Sequence, residues 1–248
     1  MFTKVYNISD DKEVTLTAYI PDISEEMQNM KVKPAVLILP GGAYKFCSDR
    51  EAEPIALAYL AKGFNAFILR YSLNEKASFP TPLDDAKKAL GFIRSNADIF
   101  FTDPQKIAVI GFSAGGHLAA ALSSMSDEKP NACILGYPCI LDSTSPILAK
   151  PVESVDKYVT RQTPPSFIFA ASNDGCVPII NSLKYAEALD KNNVSFEMHI
   201  FSEGDHGFSL GTDVVCSSEE GQKICRANSY WLERSAEWLK KLFFNREY

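Results

Sequence analysis

The chain has little of several things. Three histidines and two tryptophans are spread over 248 residues. No apolar run approaches the roughly 20 residues that a membrane span requires. Aspartate and glutamate (31) outnumber lysine and arginine (25), leaving a formal charge of −6. That balance argues against nucleic acid or an anionic membrane as partner, since basic surfaces are what such polyanions attract. The six cysteines (Cys47, Cys133, Cys139, Cys176, Cys216, Cys225) are scattered without C-x-x-C pairing. A clustered metal site or a dense disulfide framework is thereby excluded as the first reading. Reduced thiols used as small buried apolar residues are expected instead. The opening Met1-Phe2-Thr3-Lys4-Val5-Tyr6-Asn7 lacks the charged and apolar regions of a secretory signal, so a cytoplasmic location is expected.

What is present is ordinary for a folded domain: 46% hydrophobic and 23% charged residues. Residues Val14 to Ile20 alternate apolar and polar, the period of a half-buried strand, with Phe2 to Ile8 as a hairpin partner across Asp10-Asp11. Pro34 to Leu39 is a continuous apolar run, as in a strand buried on both faces, and ends in the breaker cluster Pro40-Gly41-Gly42-Ala43-Tyr44. Helical patterns then alternate with strand-like ones. Helices are predicted over Glu51 to Lys62, Pro82 to Asn96, Ala114 to Met125, Pro178 to Lys191 and Ala227 to Phe244. Strands are predicted over Phe64 to Tyr71, Lys106 to Gly111, Ala132 to Tyr137, Ser166 to Ala171 and Val194 to Phe201. Strands separated by helices imply an α/β fold with a parallel sheet covered on both faces. No linker or repeat interrupts residues 1–248, so one domain is expected.

Chemistry concentrates after the Lys106 to Gly111 strand, where Gly111-Phe112-Ser113-Ala114-Gly115 precedes a small-residue helix. Chance supplies Gly-x-Ser-x-Gly to about one chain in ten of this length at average Gly and Ser usage. Its position between a buried strand and a helix is far more specific, because a sharp strand-to-helix turn holds a serine hydroxyl exposed. In a parallel sheet the functional groups gather beyond the carboxyl ends of the strands. There, Asp174 follows the Ser166 to Ala171 strand, and His206 follows the last strand in a glycine-flanked loop. Ser113, Asp174 and His206 thus occur in the chain order of a nucleophile-elbow triad, with His206 as base and Asp174 orienting it. Asp142, beyond the strand ending near Tyr137, is a rival acid. Asn173-Asp174-Gly175 is also strong turn sequence. His199 lies inside an apolar strand, and His117 sits four residues past Ser113, where packing is the expected role. Asp205 reads as a turn residue. Backbone donors for a developing oxyanion are expected from Ala114 and from the loop Gly41-Gly42-Ala43.

These segments closely resemble the α/β-hydrolase superfamily, in particular its small bacterial esterases of acetylxylan-esterase and feruloyl-esterase type. The likeness is carried by Leu39 to Tyr44, Leu69-Arg70-Tyr71, Gly111 to Ala119, Thr163 to Phe167, Asp174 to Pro178 and Gly204 to Phe208. It implies a mostly parallel central sheet of about eight strands with helices on both faces. It also implies an oxyanion hole from Gly42, Ala43 and Ala114, and a short lid over 139–162 broken by Pro146 and Pro151. Lipase-like relatives carry His-Gly-Gly-Gly where this chain has Pro40-Gly41-Gly42-Ala43, so the hole survives unless position 43 requires a positive φ. No metal or other cofactor is implied. The expected activity is that of a serine carboxylesterase on short acyl, foremost acetyl, esters of carbohydrates or small molecules, working through an acyl-enzyme. The partner is then a small-molecule or oligosaccharide ester, with a homo-oligomer left open. Amide cleavage by a peptidase or formamidase is the alternative, and a non-catalytic ligand receptor on the same fold is the remote one.

Overall fold

The computed structural model describes residues 1–10, 12–28, 31–216, 219 and 226–244. Its centre is an eight-stranded sheet of order β1-β2-β4-β3-β5-β6-β7-β8. The strands are β1 (Phe2–Asn7), β2 (Thr15–Ile20), β3 (Lys33–Leu39), β4 (Asn65–Arg70), β5 (Thr102–Phe112), β6 (Ala132–Gly136), β7 (Ser166–Ala171) and β8 (Phe196–Phe201). β1 and β2 pair antiparallel, as does β2 with β4, and every other pairing is parallel. The expected hairpin is therefore present, although Asp11 of its predicted turn lies outside the described residues.

Side-chain alternation along the central strands feeds two cores. Ala35, Leu37 and Leu39 of β3 face one side with Ile107 and Val109 of β5, whereas Val36, Ile38, Ala108 and Ile110 face the other. The first side is covered by α2 (Thr81–Ser95), α3 (Ser113–Ser124) and α4 (Ile180–Lys191), through residues such as Leu90, Ile93, Leu118 and Leu189. The second is covered by α1 (Glu53–Ala61) and α5 (Trp231–Phe244), through Ile55, Tyr59, Trp231 and Leu239. Because each central strand is buried on both faces, it reads as an uninterrupted apolar run.

Some boundaries depart from the sequence reading. β5 begins at Thr102 rather than Lys106, because Thr102 pairs with Lys33 ahead of a register shift between Lys33 and Ala35. The predicted final helix is interrupted: residues 226–228 are helical, residues 229–230 form a turn in which Ser229 N–H donates to Arg226 O, and α5 begins at Trp231. Cys47, Cys133 and Cys139 are buried as expected, but Cys176 is exposed and Cys216 half-buried. Cys176 sits in a turn whose backbone, rather than its thiol, faces inward: its N–H donates to Asp174 Oδ1. Cys225 lies outside the described residues.

The connectivity positions the site. From β3 the chain moves to β4 on one side, then crosses to β5 on the other and continues outward. The winding direction reverses between β3 and β5, so the loops after these two strands diverge and leave a crevice. Those loops hold Gly41-Gly42-Ala43 and Ser113.

Candidate active site

Ser113 is the first residue of α3, and its φ of 53° is left-handed. A non-glycine residue held there is strained, by about 1–2 kcal/mol. Close packing enforces it. A methyl at Gly111 would lie 2.1 Å from Gly115 O, and one at Gly115 would lie 2.1 Å from Leu39 O. Only glycines allow β5, the turn and the end of β3 to approach this closely.

His206, from the loop after β8, bridges Ser113 and Asp174. Its Nε2 lies 2.8 Å from Ser113 Oγ, and its Nδ1 lies 2.7 Å from Asp174 Oδ2. With a carboxylate as acceptor, the proton resides on Nδ1, which leaves Nε2 free to accept from the serine. The Asp174 side chain is 2% exposed. Burial pushes its carboxyl up, but His206 and the N–H groups of Val177 and Cys176 outweigh this and hold it below the ordinary value. Both amides donate to Asp174 Oδ1, at 2.9 and 2.8 Å. The turn signal in Asn173-Asp174-Gly175 is therefore real and coexists with the contact to His206.

The other sequence candidates lie elsewhere. Asp142 is exposed and pairs with Lys157 at 3.6 Å. Asp205 is exposed. His199 stacks on Phe167 and meets Glu197 at 2.7 Å. His117 is buried one turn along α3 from Ser113, its Nδ1 3.0 Å from Tyr44 Oη and its Nε2 3.1 Å from Glu153 O. Burial pushes its pKa down to about 4. Burial also pushes the Cys139 thiol, beside Ser113, up to about 12, so it does not compete as a nucleophile.

The loop after β3 is pinned at several points. Ser48 N–H donates to Gly41 O, Lys45 and Phe46 N–H to Gly42 O, and Ala149 N–H to Ala43 O. Gly42, Ala43 and Tyr44 have φ values of 125°, 58° and 59°. Position 43 thus does adopt the positive φ on which the sequence reading made the hole conditional. An alanine adopts it at modest cost, as Asn and Gly do more easily. Among the described residues, the N–H groups of Gly42 and Ala43 have no protein acceptor. Ala114 N–H belongs to the first turn of α3, where helix amides lack intrahelical partners.

Sequence reasoning missed Glu51. It is 3% exposed, yet reads in sequence as a charged residue at a helix start. Gly41 N–H donates to its Oε2 at 2.7 Å, and Tyr137 O–H donates to its Oε1 at 2.6 Å. Tyr137 Oη in turn accepts Ser209 N–H at 3.1 Å, and the Tyr137 ring lies edge-on to His206 with centroids 5.2 Å apart. One buried carboxylate therefore ties the loop after β3 to the loop carrying His206. Burial raises its pKa, against the opposing pull of Tyr137, Gly41, His206 and Arg50.

Comparisons with known proteins bear on the fold and its family. Residues 21–136 match the BD-FAE family and residues 142–243 the prolyl oligopeptidase family. The chain is 32% identical to endo-1,4-beta-xylanase B of Butyrivibrio fibrisolvens over 87% of its own length and 39% of that protein's. It is 28% identical to an acetylxylan esterase of Xylanibacter ruminicola, over 83% and 46%. It thus spans less than half the length of these two curated relatives. The crystal structure of MGS-M1, an alpha/beta hydrolase enzyme from a Medee basin deep-sea metagenome library, superposes with a TM-score of 0.92 at 46% identity, covering 98% of both chains.

Proposed function

Since this chain belongs to the esterase branch of the α/β-hydrolase superfamily, we propose that it is a serine carboxylesterase that removes short acyl groups, foremost acetyl, from carbohydrates or small molecules. The observation that carries this reading is the continuous contact from Asp174 Oδ2 through His206 to Ser113 Oγ, at 2.7 and 2.8 Å. Ser113 Oγ attacks the ester carbon while His206 Nε2 takes its proton, and Asp174 stabilises the imidazolium. Negative charge develops on the carbonyl oxygen, against the amides of Gly42, Ala43 and Ala114. On collapse, His206 returns the proton to the departing alkoxide, which leaves as the alcohol. Water, activated by the same histidine, then hydrolyses the acyl-enzyme.

Preference for a short acyl chain is supported by the segment 139–162. Cys139 N–H donates to Ser113 O, Ala149 N–H to Ala43 O, and Glu153 O meets His117, so this segment is clasped directly onto the nucleophile's surroundings. An acetyl ester of xylan is also what the name of the Xylanibacter relative describes for that protein. Acetate release from acetylated xylo-oligosaccharides and from 4-nitrophenyl esters of increasing length tests the proposal. The expected kcat/KM is highest for acetate and declines from butyrate onward. No release from any of these substrates would overturn it. The match of 142–243 to the prolyl oligopeptidase family favours amide cleavage as a second reading. Hydrolysis of peptide 4-nitroanilides faster than of acetyl esters would establish that reading instead.

A further inference from the structure

The leaving alcohol receives its proton from His206, so it must lie on the His206 side of Ser113. On that side the turn at His206-Gly207 abuts Arg50: a methyl at Gly207 would lie 3.4 Å from Arg50 Nη2. Arg50 directly follows the stretch whose Lys45, Phe46, Cys47 and Asp49 form one wall of a groove of about 510 Å³. Residues 70–76 form the opposite wall, and Glu13 and Val14 close it. Arg70 begins this wall at the end of β4, so the groove opens at the same sheet edge as Ser113. A cavity of about 560 Å³ between β8 and α5 is lined by Ser195 and Phe196, at the start of β8 and thus at the opposite edge.

Two features of the groove identify its ligand. Phe46 is 58% exposed at its edge, and its ring rests against the oxyanion loop, since a methyl at Gly42 would lie 3.1 Å from Phe46 Cδ2. A large ring kept in water beside the loop after β3 is an open contact face. The lining also carries three cations (Lys45, Arg70, Lys76) and three anions (Glu13, Asp49, Glu75). Arg70 pairs with Asp49 at 2.6 Å and Lys76 with Glu13 at 3.0 Å. A charge-balanced wall of donors and acceptors suits neither an ion nor an alkyl chain. It suits a neutral polyol whose hydroxyls need both, and whose C–H face can lie on an aromatic ring.

We propose that this groove is the subsite for a neutral glycosyl leaving group, with Phe46 as its stacking platform. The proposal rests on the carboxylesterase reading and specifies the alcohol that this site accepts. It is tested with Phe46→Ala and Phe46→Trp, each assayed on acetylated xylotriose and on 4-nitrophenyl acetate, which has no sugar. Phe46→Ala should lower kcat/KM about tenfold more on the glycan than on 4-nitrophenyl acetate, with the extra loss carried by KM. Phe46→Trp should restore glycan activity. If wild type cleaves both substrates and Phe46→Ala affects both equally, or neither, the subsite is overturned and the esterase reading stands. If wild type cleaves 4-nitrophenyl acetate but not the glycan, the carbohydrate reading and the subsite fall together. Loss of both activities in wild type overturns the esterase reading itself.

Discussion

His206 meets Ser113, and His117 lies one turn further along α3, yet their neighbours differ at every point. His206 is half-buried, with a carboxylate on Nδ1 and the serine hydroxyl on Nε2. His117 is fully buried, with a phenol on Nδ1 and a backbone carbonyl on Nε2. A carboxylate stabilises a charge that forms and disappears during a reaction, whereas a phenol and a carbonyl hold a neutral ring in place. On the proposed reading, what distinguishes the base from the structural histidine is thus the partner on the far nitrogen, not nearness to Ser113 in the sequence. His117 is the closer of the two in sequence and serves as a clamp, joining α3 to Tyr44 of the oxyanion loop and to the segment 139–162.

Breaking the reactive side of this comparison should have the largest effect. Ser113→Ala or His206→Ala should lower kcat about 10⁴-fold or more in steady-state ester hydrolysis, with the fold retained by circular dichroism. Asp174→Asn should follow closely, at about 10³–10⁴-fold, because the amide allows the wrong tautomer of His206. Glu51→Gln keeps the shape but places an NH₂ group where one of two donors, Gly41 N–H and Tyr137 O–H, now finds an oxygen. It should reduce kcat about tenfold or more with little change in KM, since it loosens both loops without touching substrate. A KM effect with unchanged kcat would instead make Glu51 part of substrate binding.

The structural side is broken by His117→Gln. Turnover should change less than about fivefold, while stability falls by roughly 1–3 kcal/mol through two lost buried hydrogen bonds. Urea melts and initial rates separate these two effects. The pH dependence sharpens the contrast further. The unfolded chain protonates His117 near 6.5, the native chain only at about 4. Between these values the unfolded state binds the extra proton, so stability falls as pH drops through that window, by roughly 3 kcal/mol in all. Urea midpoints at pH 7 and pH 4.5 should therefore differ more for wild type than for His117→Gln.

The sheet was legible in the sequence because its central strands are buried on both faces and carry unbroken apolar runs, as in Val36 to Leu39 and Ile107 to Ile110. Ser113, Asp174 and His206 were legible because each follows a different strand, and because sheet topology makes the ends of those strands converge. Glu51 was not, since nothing local marks a glutamate at a helix start as buried. Its burial comes from Gly41 and Tyr137, which approach it from 10 and 86 residues away. The left-handed Ala43 was hidden for the same reason. Its conformation is held by hydrogen bonds to Gly42 O and Ala43 O from residues beyond the motif, including Ala149. Phe46 looked like one more apolar residue, and only its exposure beside a polar groove gives it a role.

The most direct test of the account is the site of covalent capture by a fluorophosphonate, read by mass spectrometry of the intact protein and its peptides. A single phosphonyl group on Ser113, with ester hydrolysis abolished in step and labelling lost in His206→Ala, is the predicted result. An unlabelled Ser113 in a protein that still releases acetate would contradict it.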